Sequence, residues 1–156
     1  MKNLDYVDGI SIAGHSQGGV VTSMLAGELG ADNVKSIVLL APAAVLRDDA
    51  LRGQVMGATY DAGNPPESVH VYGDYNLGRE YILTAQALPI YDIAAKFTGK
   101  VCLIHGTSDR IVPYTYSENY HRLYADSELH LIEGADHGFN GFQDEATQIA
   151  VDFLTK

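Results

Sequence analysis

A glycine-rich turn with the sequence GHSQGG, at residues 14–19, restricts the fold of this chain more than any other segment. An apolar run at residues 10–14 leads into the turn, and beyond it apolar side chains recur at helical spacing as far as Leu29. This pattern predicts a strand, a sharp turn and a helix. We expect glycine to be needed at Gly14 and Gly18, because only small residues let the strand and the helix approach so closely.

Three further apolar runs have the length of buried parallel strands, and each is followed by a glycine or a proline; they cover residues 36–41, 100–105 and 128–133. Pro113 can begin a helix that ends near Tyr124, and apolar residues form a helical stripe over residues 146–154. Alternating strands and helices predict an α/β architecture with a parallel sheet.

The stretch at residues 47–98 interrupts this alternation. It is rich in tyrosine, glycine and polar residues, and it is far longer than the usual connection of about 2–6 residues between a strand and a helix. We therefore predict an insertion inside a single domain that spans residues 1–156. Within the insertion the sequence indicates a hairpin of residues 54–60 and 68–75 around residues 64–66, and a helix over residues 79–88.

The net negative charge of the chain disfavours anionic partners. Ten Lys and Arg against 20 Asp and Glu give a formal net charge of −10, which repels nucleic acid and anionic membrane surfaces. No apolar run approaches the roughly 20 residues needed to span a bilayer, and the first residues lack the apolar core of a secretory signal. We therefore expect a cytoplasmic protein with no nucleic-acid partner and no membrane association.

Disulfide and metal chemistry receive no support from the sequence. Cys102 is the single cysteine, so an internal disulfide is excluded, and its place within an apolar run predicts a buried, inert thiol. The histidines His70, His121 and His130 share no metal-ligand spacing with one another or with Cys102, so we predict no metal site. His105, at the end of a strand, is interpreted as a hydrogen-bonded core or rim histidine.

The glycine-rich turn also fits G-x-S-x-G, the motif in which a strained turn presents a nucleophilic serine, here Ser16. Such a serine needs a base and an orienting carboxylate, and His137 and Asp109 follow the later strands. Each could be an ordinary turn or loop residue, but the order Ser, Asp, His on successive strand ends predicts a catalytic triad. We expect the N–H of Gln17 to bind the oxyanion and His15 to form a wall of the substrate pocket.

Four segments carry a resemblance to a known superfamily: AGHSQGGVV with the serine, LLAPAA at the end of the next strand, CLIHGTSD with the aspartate and HLIEGADHGF with the histidine. The chain resembles the α/β hydrolases and, more narrowly, the bacterial cinnamoyl (feruloyl) esterases. The resemblance covers nearly the whole chain and implies the C-terminal part of an α/β-hydrolase fold, with strands that match strands five to eight. It also implies a serine esterase that hydrolyses hydroxycinnamoyl esters through an acyl-enzyme and needs no cofactor.

In the esterases that the chain resembles, the insertion forms a lid over the acyl pocket. An aspartate and a tyrosine of that lid contact the phenolic hydroxyl of the substrate. Matching by segment assigns these roles to Asp49 in LRDDALRG and to Tyr81 in GREYILTAQ, with Asp48 as the adjacent alternative to Asp49. The resemblance thus implies that residues 47–98 select the acyl group.

The first half of the superfamily's sheet has no counterpart in this sequence. The resemblance therefore implies the loss of a loop that donates the second oxyanion N–H, and one such donor contributes about 2.7–4 kcal/mol to the transition state. The strand over residues 9–14 would also lack a neighbour, so we expect self-association or a complementary polypeptide along that edge. Another acyl hydrolase or peptidase of the superfamily, or a catalytically silent fragment that acts as an association module, stays open as an alternative.

Overall fold

The computed structural model describes residues 7–156, and no helix within that range is long and apolar enough to cross a membrane. Strands and helices alternate, so the predicted α/β class is confirmed. In chain order the elements are β1 (Ser11–His15), α1 (Gln17–Leu29), β2 (Ser36–Leu40), α2 (Val45–Arg52), β3 (Gln54–Val55), β4 (Ala58–Thr59), β5 (Ser68–Tyr72), β6 (Tyr75–Gly78), α3 (Arg79–Ala87), α4 (Ile90–Ala94), β7 (Lys100–Gly106), α5 (Thr115–Leu123), β8 (Ser127–Ile132) and α6 (Gln143–Leu154).

Four strands form one parallel sheet in the order β1-β2-β7-β8, and these are the four that the apolar runs predict. Helix α6 covers one face, where Phe153 packs against a cluster that includes Cys102 and Ile104. Helices α1 and α5 cover the other face and are joined by a hydrogen bond of 3.1 Å between Ser23 Oγ and Tyr120 Oη. Because parallel strands align their carboxyl ends, the loops after β1, β7 and β8 meet at one edge of the sheet.

Burial explains why β2 and β7 occupy the middle of this sheet. Ile37, Val38 and Leu39 of β2 are fully buried, and a continuous apolar run of this kind suits a strand that carries helices on both faces.

Helix α1 ends at Gly30, which has a φ of 73° and donates its N–H to Ala26 O. Glycine adopts this backbone conformation without the steric strain that a Cβ atom brings.

The chain divides into two compact units, Met1–Ala43 with Ile90–Lys156, and Ala44–Pro89. The parallel sheet belongs to the first unit. The second unit contains α2, two hairpins and α3, and its core consists of Ala50, Val69, Ile82 and Ala85. The insertion that the sequence predicts, residues 47–98, is longer at its C-terminal end than this second unit.

The hairpin predicted for residues 54–60 and 68–75 is wrong. Strand β3 instead pairs with β4, and β5 pairs with β6. Each hairpin turns at a glycine with left-handed backbone, Gly57 at a φ of 89° and Gly73 at a φ of 54°. Glycine makes such tight turns at little steric cost, and these local turns prevail over a wider one around the two prolines. Helix α3 confirms the helix predicted over residues 79–88, whereas α2 is not predicted from the sequence.

Strand β1 lies at an open edge, because no strand among the described residues pairs with its outer side. Ala13 of β1 is exposed, although its neighbour Val38 in β2 is fully buried. Helix α1, which packs on β1, leaves Val21, Leu25 and Leu29 exposed at 58%, 38% and 43%. Residues four apart share one face of a helix, so these three side chains form an apolar stripe beside the open edge. Unpaired backbone groups and exposed apolar surface both favour association.

We therefore expect the chain to self-associate, or to bind a complementary strand, along β1 and this stripe. The double variant Val21→Lys with Leu25→Lys places two charges on the stripe. It should shift the chain towards monomer in sedimentation velocity over a concentration series. Because both positions are exposed, the free energy of unfolding should change by no more than about 0.5 kcal/mol per substitution.

Two exposed leucines of the second unit provide the matched control. The variant Leu51→Lys with Leu83→Lys adds the same charge elsewhere and should leave the association unchanged. Equal dissociation in both double variants, or a monomeric unsubstituted chain at every concentration tested, would contradict an interface at β1.

Candidate active site

Ser16 stands between β1 and α1 in a backbone conformation that residues other than glycine rarely adopt, with a φ of 57° and a ψ of −124°. Such a conformation costs on the order of 1–3 kcal/mol and persists only where the surrounding structure holds it. Here the Ser16 N–H donates to Leu40 O at 2.9 Å, and Ser16 O accepts the N–H groups of Ala43 and Gly19 at 3.0 Å each. These bonds tie the turn to the end of β2.

The glycines around Ser16 have different roles. A Cβ atom at Gly14 would overlap Gly18 O and Thr22 Oγ1, so glycine is required there. A Cβ atom at Gly18 would meet no atom within 4 Å, and the prediction that this position must be small for close packing is wrong. The tight position is Gly19, where a Cβ atom would lie 3.0 Å from Pro42. Gly19 faces the segment after β2, whereas Gly18 faces open space, and the motif alone does not distinguish the two.

The carboxylate of Asp109 is buried in the loop after β7 and receives four hydrogen bonds. Its Oδ1 accepts the N–H groups of Ile111 and Val112 at 2.8 Å each. Its Oδ2 accepts His137 Nδ1–H at 2.7 Å and His105 Nε2–H at 3.1 Å. Burial alone would raise the pKa of Asp109, but these hydrogen bonds outweigh it and hold the pKa well below its usual range. Asp109 is therefore a charged carboxylate.

His137 lies on the loop after β8, and two neighbours fix this loop. Asp136 Oδ1 accepts the N–H groups of Gly138 at 3.1 Å and Asn140 at 2.9 Å, which closes the turn. His15, predicted as a pocket wall, donates its Nε2–H to His137 O at 2.8 Å, and the two rings lie 4.8 Å apart between centroids. His15 thus holds the backbone of His137 from the end of β1.

The structure brings together the three residues that the sequence predicts as a triad. His137 Nε2 lies 2.9 Å from Ser16 Oγ, while its Nδ1 lies 2.7 Å from Asp109 Oδ2. A carboxylate only accepts hydrogen bonds, so Nδ1 carries the proton and Nε2 of the neutral ring accepts the Ser16 hydroxyl. This arrangement can draw the proton from Ser16. Gln17 begins α1 directly after Ser16, so its N–H lies at the positive end of the helix.

Comparison with solved structures places this geometry in a known fold, although no protein-family model and no curated protein matches the chain. Est1E from Butyrivibrio proteoclasticus, solved with ferulic acid bound, is 29% identical at a TM-score of 0.86, and the match covers 99% of this chain. The chain has part of an α/β-hydrolase fold. This result confirms the resemblance predicted from the four motif segments.

Two further solved structures share this α/β-hydrolase fold at lower identity. A predicted CIB-like hydrolase from Thermoplasma acidophilum is 22% identical at a TM-score of 0.59, covering 95% of this chain and 51% of that chain. Alpha/beta hydrolase domain-containing protein 10 from mouse is 19% identical at a TM-score of 0.65, covering 97% of this chain and 64% of that chain. The present chain also spans 64% of the length of the Est1E structure.

His105 is the residue of this site that sequence reasoning undervalues. It is fully buried, as expected of a core histidine, but its Nε2 contacts both Asp109 Oδ2 at 3.1 Å and Val112 O at 2.9 Å. Since both partners are acceptors, Nε2 carries the proton, and Nδ1 accepts the hydroxyl of Ser117 at 2.6 Å. The signal in the sequence is the spacing of four residues between His105 and Asp109 around the end of a strand.

We expect His105 to set the charge environment of Asp109. In His105→Ala the carboxylate loses one of the donors that lower its pKa, so the pKa of Asp109 rises. The rate at which a fluorophosphonate labels Ser16 should fall at acid pH, and this fall is the acid limb of the pH profile. In His105→Ala the acid limb should move to higher pH by up to about one unit, since a hydrogen bond to a charged group contributes about 1.5–3 kcal/mol.

His105→Gln retains an N–H donor near the same position and should move the acid limb less than His105→Ala. Thermal melts by circular dichroism would report whether each variant folds. A uniform loss of labelling rate at every pH, with the acid limb unmoved in both variants, would assign His105 a structural role alone.

The two residues predicted to bind the substrate both lie in the second unit. Asp49 Oδ1 accepts hydrogen bonds from Arg52 Nη2 at 2.9 Å and Gln54 Nε2 at 3.0 Å. Tyr81 is partly buried against the core of the unit, and this burial raises its pKa. Tyr60 packs against the same core as Tyr81. Burial first, and then the charges of Asp49 and Tyr81, raise the pKa of Tyr60. Sequence reasoning does not single out Tyr60.

Proposed function

We propose that this chain is part of a serine carboxylester hydrolase that acts on hydroxycinnamoyl esters through an acyl-enzyme. The observation that carries the proposal is the relay from Ser16 Oγ through His137 to Asp109, with hydrogen bonds of 2.9 Å and 2.7 Å. The strained turn that holds Ser16 at the start of a helix supports the same function, because it is typical of hydrolase nucleophiles.

Acylation begins when His137 Nε2 takes the proton of the Ser16 hydroxyl. Ser16 Oγ then bonds to the carbonyl carbon of the ester, and the carbonyl oxygen becomes an oxyanion. Asp109 keeps the other ring nitrogen protonated and stabilises the imidazolium that forms. His137 returns its proton to the alcohol oxygen as the ester C–O bond breaks, which leaves the acyl group on Ser16.

Deacylation repeats these steps with water. His137 Nε2 takes a proton from the water molecule as its oxygen bonds to the acyl carbon, and the proton then returns to Ser16 Oγ as the acid leaves. The developing oxyanion needs N–H donors in both halves of the reaction. We assign one of them to Gln17, because it follows the nucleophile at the N-terminal end of α1.

The acyl group is the finer part of the proposal. Est1E, which is 29% identical to this chain, was solved with ferulic acid bound, and ferulic acid is a hydroxycinnamic acid. We propose that Asp49 and Tyr81 recognise the phenolic hydroxyl of such a group. Tyr60 and Tyr81 pack against the same core of the second unit, and the charge of Asp49 contributes to the raised pKa of Tyr60; these observations support a polar cluster suited to a phenol.

Ser16 should be the serine that a fluorophosphonate probe modifies. The Oγ atom displaces fluoride from phosphorus while His137 takes its proton, so the intact mass rises by one probe group less hydrogen fluoride. Ser16→Ala should abolish the mass increase. His137→Ala should slow labelling by roughly 10²–10⁴-fold, the contribution of a general base.

Ser68→Ala is a matched control, because it removes an exposed hydroxyl in the second unit and should leave the labelling rate unchanged. Labelling that persists in Ser16→Ala, or an equal rate in His137→Ala and the unsubstituted chain, would overturn the assignment of the nucleophile and its base.

Asp49→Ala and Tyr81→Phe should change substrate preference more than overall activity. Each removes a polar group proposed to contact the phenol, and one such hydrogen bond contributes about 0.5–1.5 kcal/mol, or more if charged. Turnover of feruloyl esters should therefore fall about 3–10-fold relative to that of short-chain alkyl esters.

The panel should include esters of cinnamic acid, which lacks the phenolic hydroxyl, and a peptide substrate. Asp48→Ala tests the adjacent carboxylate and should have the smaller effect. An equal loss on every ester would assign both residues a structural role, and turnover of the peptide in place of the esters would favour a peptidase.

A further inference from the structure

Three side chains with metal-binding atoms meet on the sheet face that α6 covers. Cys102 of β7 and Glu128 of β8 are register partners, and His130 follows two residues after Glu128. Partners in register and residues two apart point to the same face of a sheet. One atom of each side chain, the Cys102 sulfur, a Glu128 oxygen and a His130 nitrogen, lies within 4.8 Å of the other two. Spacing along the sequence cannot reveal this group, because its members belong to two strands.

The His130 nitrogen nearest Glu128 lacks a well-formed hydrogen bond within residues 7–156. His130 Nε2 is shielded from solvent and forms no hydrogen bond among the described residues. It lies 3.2 Å from Glu128 Oε1 without hydrogen-bond geometry. A shielded polar atom without a partner is costly and therefore rare in folded proteins. A cation between the nitrogen and the carboxylate would satisfy both.

The cluster that surrounds Cys102 on this face of the sheet consists of apolar side chains. Cys102 itself is fully buried in a cluster with Val38, Ile104 and Ile132. The charge on Glu128 is matched by Lys156, whose Nζ lies 3.2 Å from Oε2. The Lys156 side chain is 60% exposed, and an ion pair of this kind contributes about 0–1 kcal/mol. Lys156 can therefore move aside at little cost, and Glu128 also lines an open cleft that leads to solvent.

We propose that Cys102, Glu128 and His130 form a binding site for a divalent transition-metal ion of the zinc class. Sulfur and imidazole nitrogen favour Zn²⁺ over Mg²⁺ or Ca²⁺, which prefer oxygen ligands. On binding, the metal replaces the proton on the Cys102 sulfur and that proton goes to solvent. The thiolate and the carboxylate then balance the two positive charges, and water takes the fourth position.

This site is separate from the relay around Ser16. Glu128 and Cys102 lie in the first half of β8 and β7, whereas Asp109 and His137 follow the carboxyl ends of those strands. A metal here bridges β7 and β8 and raises the stability of the folded chain, because it binds the folded state alone. This stabilising role can be tested without measuring esterase activity.

Co²⁺ titration of the full chain tests the site, because a cobalt–thiolate bond produces a charge-transfer absorption and tetrahedral Co²⁺ a distinct visible spectrum. We expect one Co²⁺ per chain, displaced by Zn²⁺, with one proton released as measured by calorimetry in two buffers. Cys102→Ser should abolish the charge-transfer band. His130→Ala should weaken binding at least about 100-fold, because it removes one of the three protein ligands.

Lys156→Ala and His70→Ala sharpen the test. Lys156→Ala removes the competing ammonium group and should tighten binding about 2–5-fold. His70→Ala removes an exposed histidine of the second unit and should leave binding unchanged. His130 is partly exposed, so His130→Ala should fold even if Cys102→Ser does not, and circular dichroism would confirm it. Absence of the charge-transfer band, unchanged affinity in His130→Ala, or weaker or unchanged binding in Lys156→Ala would overturn the proposal.

Discussion

The buried charge of Asp109 is the constraint on which the rest of the first unit depends. A carboxylate removed from water is stable only when hydrogen bonds replace its hydration, and Asp109 receives four. Two come from the N–H groups of Ile111 and Val112 in its own loop, one from His105 in β7, and one from His137 in the loop after β8. A single charged group thus joins two loops and a strand end, and it decides which nitrogen of His137 is free to accept a proton.

The parallel sheet makes this arrangement possible. Its four strands end at the same edge, so residues far apart in the chain meet there without long connections. The end of β1 contributes twice, since Ser16 follows it and His15 holds the backbone carbonyl of His137 at 2.8 Å. The unfavourable backbone of Ser16 is held by hydrogen bonds to Leu40 and Ala43 at the end of β2. Strain at the nucleophile is therefore sustained by the end of β2 and the segment after it as well as by the turn.

The two halves of the sheet differ in their chemistry. Side chains beyond the carboxyl ends form a polar network joined by hydrogen bonds. The polar group near the start of β7 and β8 instead contains a shielded His130 nitrogen with no hydrogen bond among the described residues. A polar network in which every group has a hydrogen-bond partner keeps one arrangement, whereas a group without a partner can bind a ligand. The same reasoning applies to β1, whose open edge and neighbouring apolar stripe leave backbone and side-chain groups unsatisfied. These two sets of unsatisfied groups are the basis of the proposals that β1 binds another strand and that the polar group binds a metal ion.

The sequence by itself determined the α/β class, the four sheet strands, and the choice of Ser16, Asp109 and His137, because apolar periodicity and short motifs are local signals. It did not determine the two hairpins of the second unit, where left-handed glycines compete with prolines as turn formers, nor which glycine after Ser16 is tightly packed. Only the tertiary structure decided that His105 shares the carboxylate of Asp109, and that Cys102, Glu128 and His130 meet. Contacts across strands depend on register, and register is set by the packing of the whole sheet against its helices.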